Sequence, residues 1–314
     1  MLYRTVDIRN AASQDYAHLD VYALDACNEM PNSSLRPCVL ICPGGAYAWT
    51  SHREGEPVAM KFLAAGYHVA VLWYSVRPAV FPTALLEVAA SVYHLRTNAQ
   101  EYHIDMNRIN VAGFSAGGHL AASYGCFWNC DFVSDAMGLT ASKKGWLKPN
   151  GLILGYPVIT TGELTHEESV RNLMGEDESI LRIAAAEEII ERLRAKISST
   201  GSQGEAATKD LCDTSLQVDF QTFRQALSLE KQVTADTPRT FIWHTVTDGS
   251  VPVENTLGFA GALRAENINF EMHVYPVGGH GLSLANAITL GNGRTEEVPE
   301  VQGWIDEACR WVGM

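Results

Sequence analysis

The chain has little that would carry it to nucleic acid or lipid. Its 314 residues hold 23 Lys and Arg against 36 Asp and Glu, a formal charge of −13, and the basic residues never gather into a run. A phosphate backbone or an anionic membrane surface requires clustered cations, so nucleic acid and membrane are excluded as partners. Cysteine is sparse and unpatterned. The seven (27, 38, 42, 126, 130, 212, 309) are an odd number with no C-x-x-C pair, which supports neither a disulfide framework nor a zinc knuckle and predicts reduced, partly buried thiols. No apolar stretch of signal-peptide length opens the chain, where Arg4, Asp7 and Arg9 intervene, and a cytoplasmic location is the expectation. The longest uncharged stretch, 109–130, contains Gly113, Gly117, Gly118, Gly125, Asn110, Ser115 and His119. That is poor material for a lipid-facing helix and reads as buried.

What is present is apolar. Hydrophobic residues make up 46% of the chain and charged ones 19%, enough for a core that hides roughly 75% of the unfolded surface. Two crudely alternating segments, 3–8 and 18–24, suit strands at a sheet edge. Six short, β-branched-rich runs follow at 38–42, 68–74, 109–114, 152–156, 240–244 and 270–275. Continuous runs of this kind mark strands covered on both faces. Helical spacing fills the gaps at 56–65, 83–98, 116–126, 253–266 and 301–312. Strands alternating with helices predict an α/β fold, a mostly parallel, doubly wound sheet with helices on both faces, in one domain over 1–314. Residues 163–236 break the rhythm: several helical patterns and no convincing strand predict a helical insertion that could cap a site. Within it, 180–196 should pack, and 198–204 should be a loop.

Chemistry concentrates where strands end. Gly113, Phe114, Ser115, Ala116 and Gly117 form G-x-S-x-G between a buried strand and a helix. Such an elbow needs glycines because the turn is tight, and it lifts the serine above the sheet at the positive end of the following helix. A serine needs a base, and the base an orienting acid. His280 follows the last strand in a Gly-rich loop and Asp248 follows 240–244, giving the order Ser, Asp, His. Each alone could be an ordinary turn or cap residue, and Glu254 is a reserve for the acid. His68, His244 and His273 fall in strand patterns and read as structural, whereas His119 should pack or bond locally. The amide of Ala116 is one expected oxyanion donor. Gly45, in the Pro-Gly-Gly-Ala-Tyr segment after 38–42, is the other, with Ala46 a further candidate. The dinucleotide pattern G-x-G-x-x-G is absent from that strand end.

The segments PGGAYAWTSHREGEPVA (43–59), YSVRPAVFP (74–82), IDMNRINVAGFSAGGHLAA (104–122), HTVTDGSVPVENT (244–256) and VGGHG (277–281) resemble α/β-hydrolases of the esterase/lipase type. More narrowly, they resemble the acetyl esterase and feruloyl-esterase-like group associated with xylan. The resemblance implies a triad of Ser115, Asp248 and His280, oxyanion donors at Gly45 and Ala116, and release of short acyl groups from carbohydrate esters. Two departures stand out: Pro-Gly-Gly-Ala replaces the His-Gly-Gly-Gly of many esterases, and the insertion is long for the group.

The expected activity is therefore two-step acyl transfer by a serine carboxylesterase. Its partner is a small-molecule ester, an acylated oligosaccharide, and the chemistry requires no metal or organic cofactor. Tyr47, Trp49, Pro78 and Phe81 are candidates to line the substrate surface, with core packing the alternative for the aromatics. Arg53 and Glu54 read either as an ion pair bracing the oxyanion loop or as a solvated charge run. A peptidase of the same fold and a non-catalytic ligand-binding scaffold are the rivals, and a homo-oligomer remains open.

Overall fold

The computed structural model describes residues 1–30, 34–200, 219–291 and 296–313. Eight strands form one sheet: β1 (Leu2–Val6), β2 (His18–Ala23), β3 (Arg36–Cys42), β4 (His68–Trp73), β5 (Ile104–Phe114), β6 (Gly151–Gly155), β7 (Thr240–Thr245) and β8 (Phe270–Tyr275). Their spatial order is β1-β2-β4-β3-β5-β6-β7-β8. β2 is antiparallel to both β1 and β4, and from β4 to β8 every neighbouring pair is parallel. All eight expected strands are present. β5 starts five residues earlier than its apolar run, at Ile104, which pairs with Arg36 ahead of a register shift in the β3 ladder. Residues 105–108 are polar except for an exposed Met106 and are at most partly buried there, so apolar patterning could not register them.

Pleating sends alternate side chains to two cores. Val111, Leu152 and Leu154 join one core with Val88 and Val92 of the Thr83–Thr97 helix and Leu120 of the Ala116–Phe127 helix. Val39, Ile41, Ala112 and Ile153 face the other, under Phe62 of the Glu56–Ala64 helix and Trp304 and Trp311 of the Trp304–Gly313 helix. Cys38 and Cys42 are buried on β3, as are Cys126 and Cys130 around the end of the Ala116–Phe127 helix, and none of the four is in a disulfide.

The described part of the 163–236 segment is helical, with Glu167–Met174 and Ala184–Thr200 separated by the 3-10 turn Glu178–Arg182, and Phe220–Ala226 followed by the 3-10 turn Leu229–Lys231. Ile189, Ile190 and Leu193 pack into the same core as the Ala116–Phe127 helix. Residues 198–200 continue the helix instead of starting a loop. Ser199 satisfies itself there by donating its hydroxyl to the Lys196 carbonyl at 2.8 Å. Residues 201–204 lie outside the described residues. Among the described residues no helix is long and apolar enough to cross a membrane.

Candidate active site

β5 ends at Phe114 and a helix begins at Ala116, so the whole change of direction falls on Ser115, at φ 53° and ψ −121°. A residue with a side chain holds such a backbone only where its surroundings enforce it. A Cβ on Gly113 would lie 2.1 Å from the Gly117 carbonyl oxygen, and one on Gly117 would lie 2.2 Å from that of Cys42. Only glycine fits at either position. The turn is pinned on both sides, because the Ser115 amide donates to Gly155 O (3.1 Å) and the Val158 amide donates to Ser115 O (3.0 Å).

Two loops from neighbouring strands reach the serine. His280, beyond β8, has Nε2 2.7 Å from Ser115 Oγ and Nδ1 2.7 Å from Asp248 Oδ2. Asp248, beyond β7, is buried, and its Oδ1 accepts from the amides of Ser250 (2.9 Å) and Val251 (3.0 Å). His244 adds a contact that strand patterning concealed: it is fully buried, with Nε2 3.3 Å from Asp248 Oδ2 and 3.0 Å from Val251 O. Its Nδ1 meets Thr256 Oγ1 at 2.8 Å. Burial opposes charge on Asp248, but the hydrogen bonds from His244 and His280 and the charge of His280 outweigh it and hold the carboxyl well below the usual range. An ionised Asp248 fixes the proton of His280 on Nδ1 and leaves Nε2 to accept from the serine. Glu254 is exposed at the start of its helix.

The oxyanion candidates lie beside this pair. A Cβ on Gly44 would stand 3.0 Å from Ser115 Cβ. Gly45, Ala46 and Tyr47 all have positive φ (133°, 55° and 54°). That strained turn is held from outside by Ser51 N–H on Gly44 O (2.8 Å), Arg77 N–H on Tyr47 O (2.9 Å) and Asn172 Nδ2 on Ala46 O (2.8 Å). The Gly44 amide is taken by Glu54 Oε2 (2.7 Å), whereas the amides of Gly45 and Ala46 meet no acceptor among the described residues.

Arg53 and Glu54 are neither a mutual ion pair nor a solvated run. Glu54 is 3% exposed and receives the Tyr156 hydroxyl at 2.7 Å as well as the Gly44 amide. Arg53 Nη1 donates to Gly281 O (2.9 Å) and Thr289 O (3.0 Å). Adjacent charges here turn to separate partners, backbone carbonyls for Arg53 and an amide and a hydroxyl for Glu54, which a pattern of exposed charge does not reveal.

The helical segment also touches the site. His119 sits behind the elbow with Nε2 3.1 Å from Leu227 O and Nδ1 3.0 Å from Tyr47 OH, and burial lowers its pKa to about 4. Burial and then the nearby His280 charge lower the pKa of His166, whose Nδ1 meets Ser169 Oγ at 2.9 Å. His166 carries no motif in the sequence that would single it out. Among the four expected substrate-lining residues, Trp49 is 57% exposed and Pro78 is also exposed. Tyr47 and Phe81 are buried: Tyr47 because its hydroxyl is spent on His119, and Phe81 because it packs against Phe132 and Phe223. Phe81 and Pro78 border an 860 Å³ cleft between residues 77–83 and the Glu167–Met174 helix. No cluster of three or more metal-ligating side chains occurs among the described residues.

A mostly parallel sheet with a serine on the turn after its central strand, and an acid and a histidine after the next strands toward one edge, defines an α/β-hydrolase. Within that class the chain belongs to the BD-FAE family, whose match covers residues 19–263. It is 36% identical over 255 residues to endo-1,4-beta-xylanase B of Butyrivibrio fibrisolvens, a stretch covering 80% of this chain and 33% of that protein. The chain spans 33% and 55% of the lengths of the curated relatives it matches. Among solved structures it is similar to an acetyl ester-xyloside bifunctional hydrolase from Caldicellulosiruptor lactoaceticus, at 29% identity and TM-score 0.71 over 99% of this chain and 95% of that one. It is also similar to the carboxylesterase Cest-2923 from Lactobacillus plantarum WCFS1, at 26% identity and TM-score 0.70 over 100% and 97%.

Proposed function

We propose that the protein is a serine carboxylesterase that removes short acyl groups, acetyl foremost, from carbohydrate esters such as acetylated xylo-oligosaccharides. The observation that carries this reading is the unbroken run of 2.7 Å contacts from Ser115 through His280 to Asp248. Similarity to a xylanase and to an acetyl ester-xyloside hydrolase supports the carbohydrate part.

In this scheme Ser115 Oγ attacks the ester carbonyl carbon while its proton passes to His280 Nε2, and Asp248 stabilises the imidazolium. The oxyanion accepts from the amides of Gly45 and Ala116, with Ala46 a third donor. Collapse of the tetrahedral species expels the sugar hydroxyl, which takes its proton from His280. Water, deprotonated by the same histidine, then releases the acid and restores the serine. Exposed Trp49, on the loop that turns back over Gly45, offers a flat apolar face to a sugar ring, and Pro78 a second surface.

The test is acetate release from acetylated xylo-oligosaccharides by the wild type and by Ser115→Ala, with p-nitrophenyl acetate as a reactive control. Loss of a triad member should lower kcat by at least about 10⁴-fold. Serine-dependent turnover of the control alone would remove the sugar assignment. Turnover of an amide in preference to esters would favour a peptidase, and no reaction of Ser115 with a fluorophosphonate would favour a binding scaffold.

A further inference from the structure

We infer that Glu54 is a positioning residue for the esterase reaction, a buried carboxylate that locks the oxyanion loop to the histidine loop and sets both against Ser115. The inference rests on the serine esterase reading above.

Glu54 bridges two segments that share no strand. Its Oε2 accepts from the Gly44 amide (2.7 Å), one residue before the proposed donor Gly45, and its Oε1 accepts from the Tyr156 hydroxyl (2.7 Å). The same hydroxyl accepts from the Ser283 amide (2.8 Å), three residues after His280, and the Tyr156 ring stands edge-on to the His280 imidazole with centroids 5.2 Å apart. Ser283 in turn donates its hydroxyl to Arg53 O (2.6 Å), closing a ring back to the residue before Glu54. An absent side chain makes room for it: a Cβ on Gly44 would lie 2.8 Å from Glu54 Oε2.

The partner set fixes the chemistry. Both carboxylate oxygens accept, Oε2 from a backbone amide that can only donate and Oε1 from the Tyr156 hydroxyl; an amide side chain could keep both contacts only by reversing that hydroxyl, which already accepts from Ser283. The bond from the Gly44 amide to Glu54 leaves that amide unavailable to an oxyanion and helps hold the positive-φ turn in which the Gly45 and Ala46 amides stay unpaired. A strained donor pair is useful for catalysis only while its surroundings over-determine it. Glu54 therefore acts on the transition state through the backbone, without touching substrate.

The experiment compares the wild type, Glu54→Gln, Glu54→Asp and Tyr156→Phe on p-nitrophenyl acetate, with active-site titration and a melting curve for each. A trifluoromethyl ketone serves as a tetrahedral probe. Glu54→Gln should lower kcat by about 30- to 300-fold with KM within about threefold, and should weaken the ketone by a similar factor, somewhat less than outright loss of one oxyanion donor. Tyr156→Phe should lose less, and adding it to Glu54→Gln should cost less than the product of the two factors. Glu54→Asp should recover part of kcat. A Glu54→Gln protein that melts like the wild type and keeps kcat within twofold overturns the inference. So does a kcat loss that only tracks a lower titratable fraction. A wild type without Ser115-dependent turnover overturns the esterase reading itself, an outcome distinct from both.

Discussion

The elbow and the helical segment at 163–236 meet behind the serine, yet they are held in opposite ways. Around Ser115 the chain is fixed by what cannot be added: Gly113 and Gly117 have backbone oxygens at 2.1 to 2.2 Å from where a Cβ would go. The helical segment is fixed by what is there, namely the apolar side chains of Ile189, Ile190 and Leu193 and polar tethers such as Arg224 Nε on Thr161 O. Backbone contact tolerates no substitution, whereas side-chain contact can be exchanged. One scaffold can thus keep the turn at Ser115 constant while the helical segment behind it changes.

The harshest way to break this contrast is Gly117→Ala. With Cβ 2.2 Å from Cys42 O and 2.3 Å from Pro43 O, the variant should lose more than about 4 kcal/mol, the range of severe core defects, and yield little folded protein. A melting temperature within a few degrees of the wild type would remove the distinction.

The second prediction probes the junction, where His119 links Leu227 to Tyr47. Burial lowers the pKa of both His119 and His68 to about 4, against 6.5 for an unhindered histidine. Between those values the unfolded chain binds more protons than the folded one, so stability rises with pH over that window and falls as pH drops from 6.5 toward 4. Each group contributes at most about 1.4 kcal/mol per pH unit. Urea midpoints at pH 7 and pH 5 should separate, and His119→Asn should remove part of the slope; equal wild-type midpoints would refute it. Asp248, held low, acts in the same direction at still lower pH.

The smallest effect belongs to Arg224→Ala. It removes a pair with Glu167 (2.5 Å) and a bond to Thr161 O (2.7 Å), but the Glu167 side chain is 57% exposed, and such pairs are worth about 1 kcal/mol or less. The urea midpoint should move little and kcat should stay within twofold. A larger stability loss would mean that the segment hangs on this tether more than on its apolar face.

What could be read from the sequence follows the same division. β3, β4, β6 and β7 announced themselves as short apolar runs, because burial on both faces demands one, whereas β8, expected to be covered on both faces, lies at the sheet edge and is only partly buried, with Met272 and Val274 exposed. Ser115, Asp248 and His280 could be singled out because each follows such a run. The polar half of β5 had no such signature. Glu54 differs from its sequence reading because a charge in a polar stretch looks solvated until Tyr156, distant in sequence, is brought to it; His244 is the buried strand histidine its pattern implies, and only its contact with Asp248, four residues on, lacks a sequence signature. Tyr47 and Phe81 were misjudged in reverse, since the chain alone does not tell an aromatic facing a ligand from one facing His119 or Phe223.

The buried cysteines have a practical consequence for labelling. Burial pushes the Cys126 and Cys130 thiols up to about 12 and those of Cys38 and Cys42 higher still. Near neutral pH these sulfurs stay protonated and poorly nucleophilic, although Cys42 is followed directly by the loop that carries Gly45. Alkylation of any of the four by an iodoacetamide-type reagent would therefore report opening of the fold, and its rate would measure that opening without competing with chemistry at the serine.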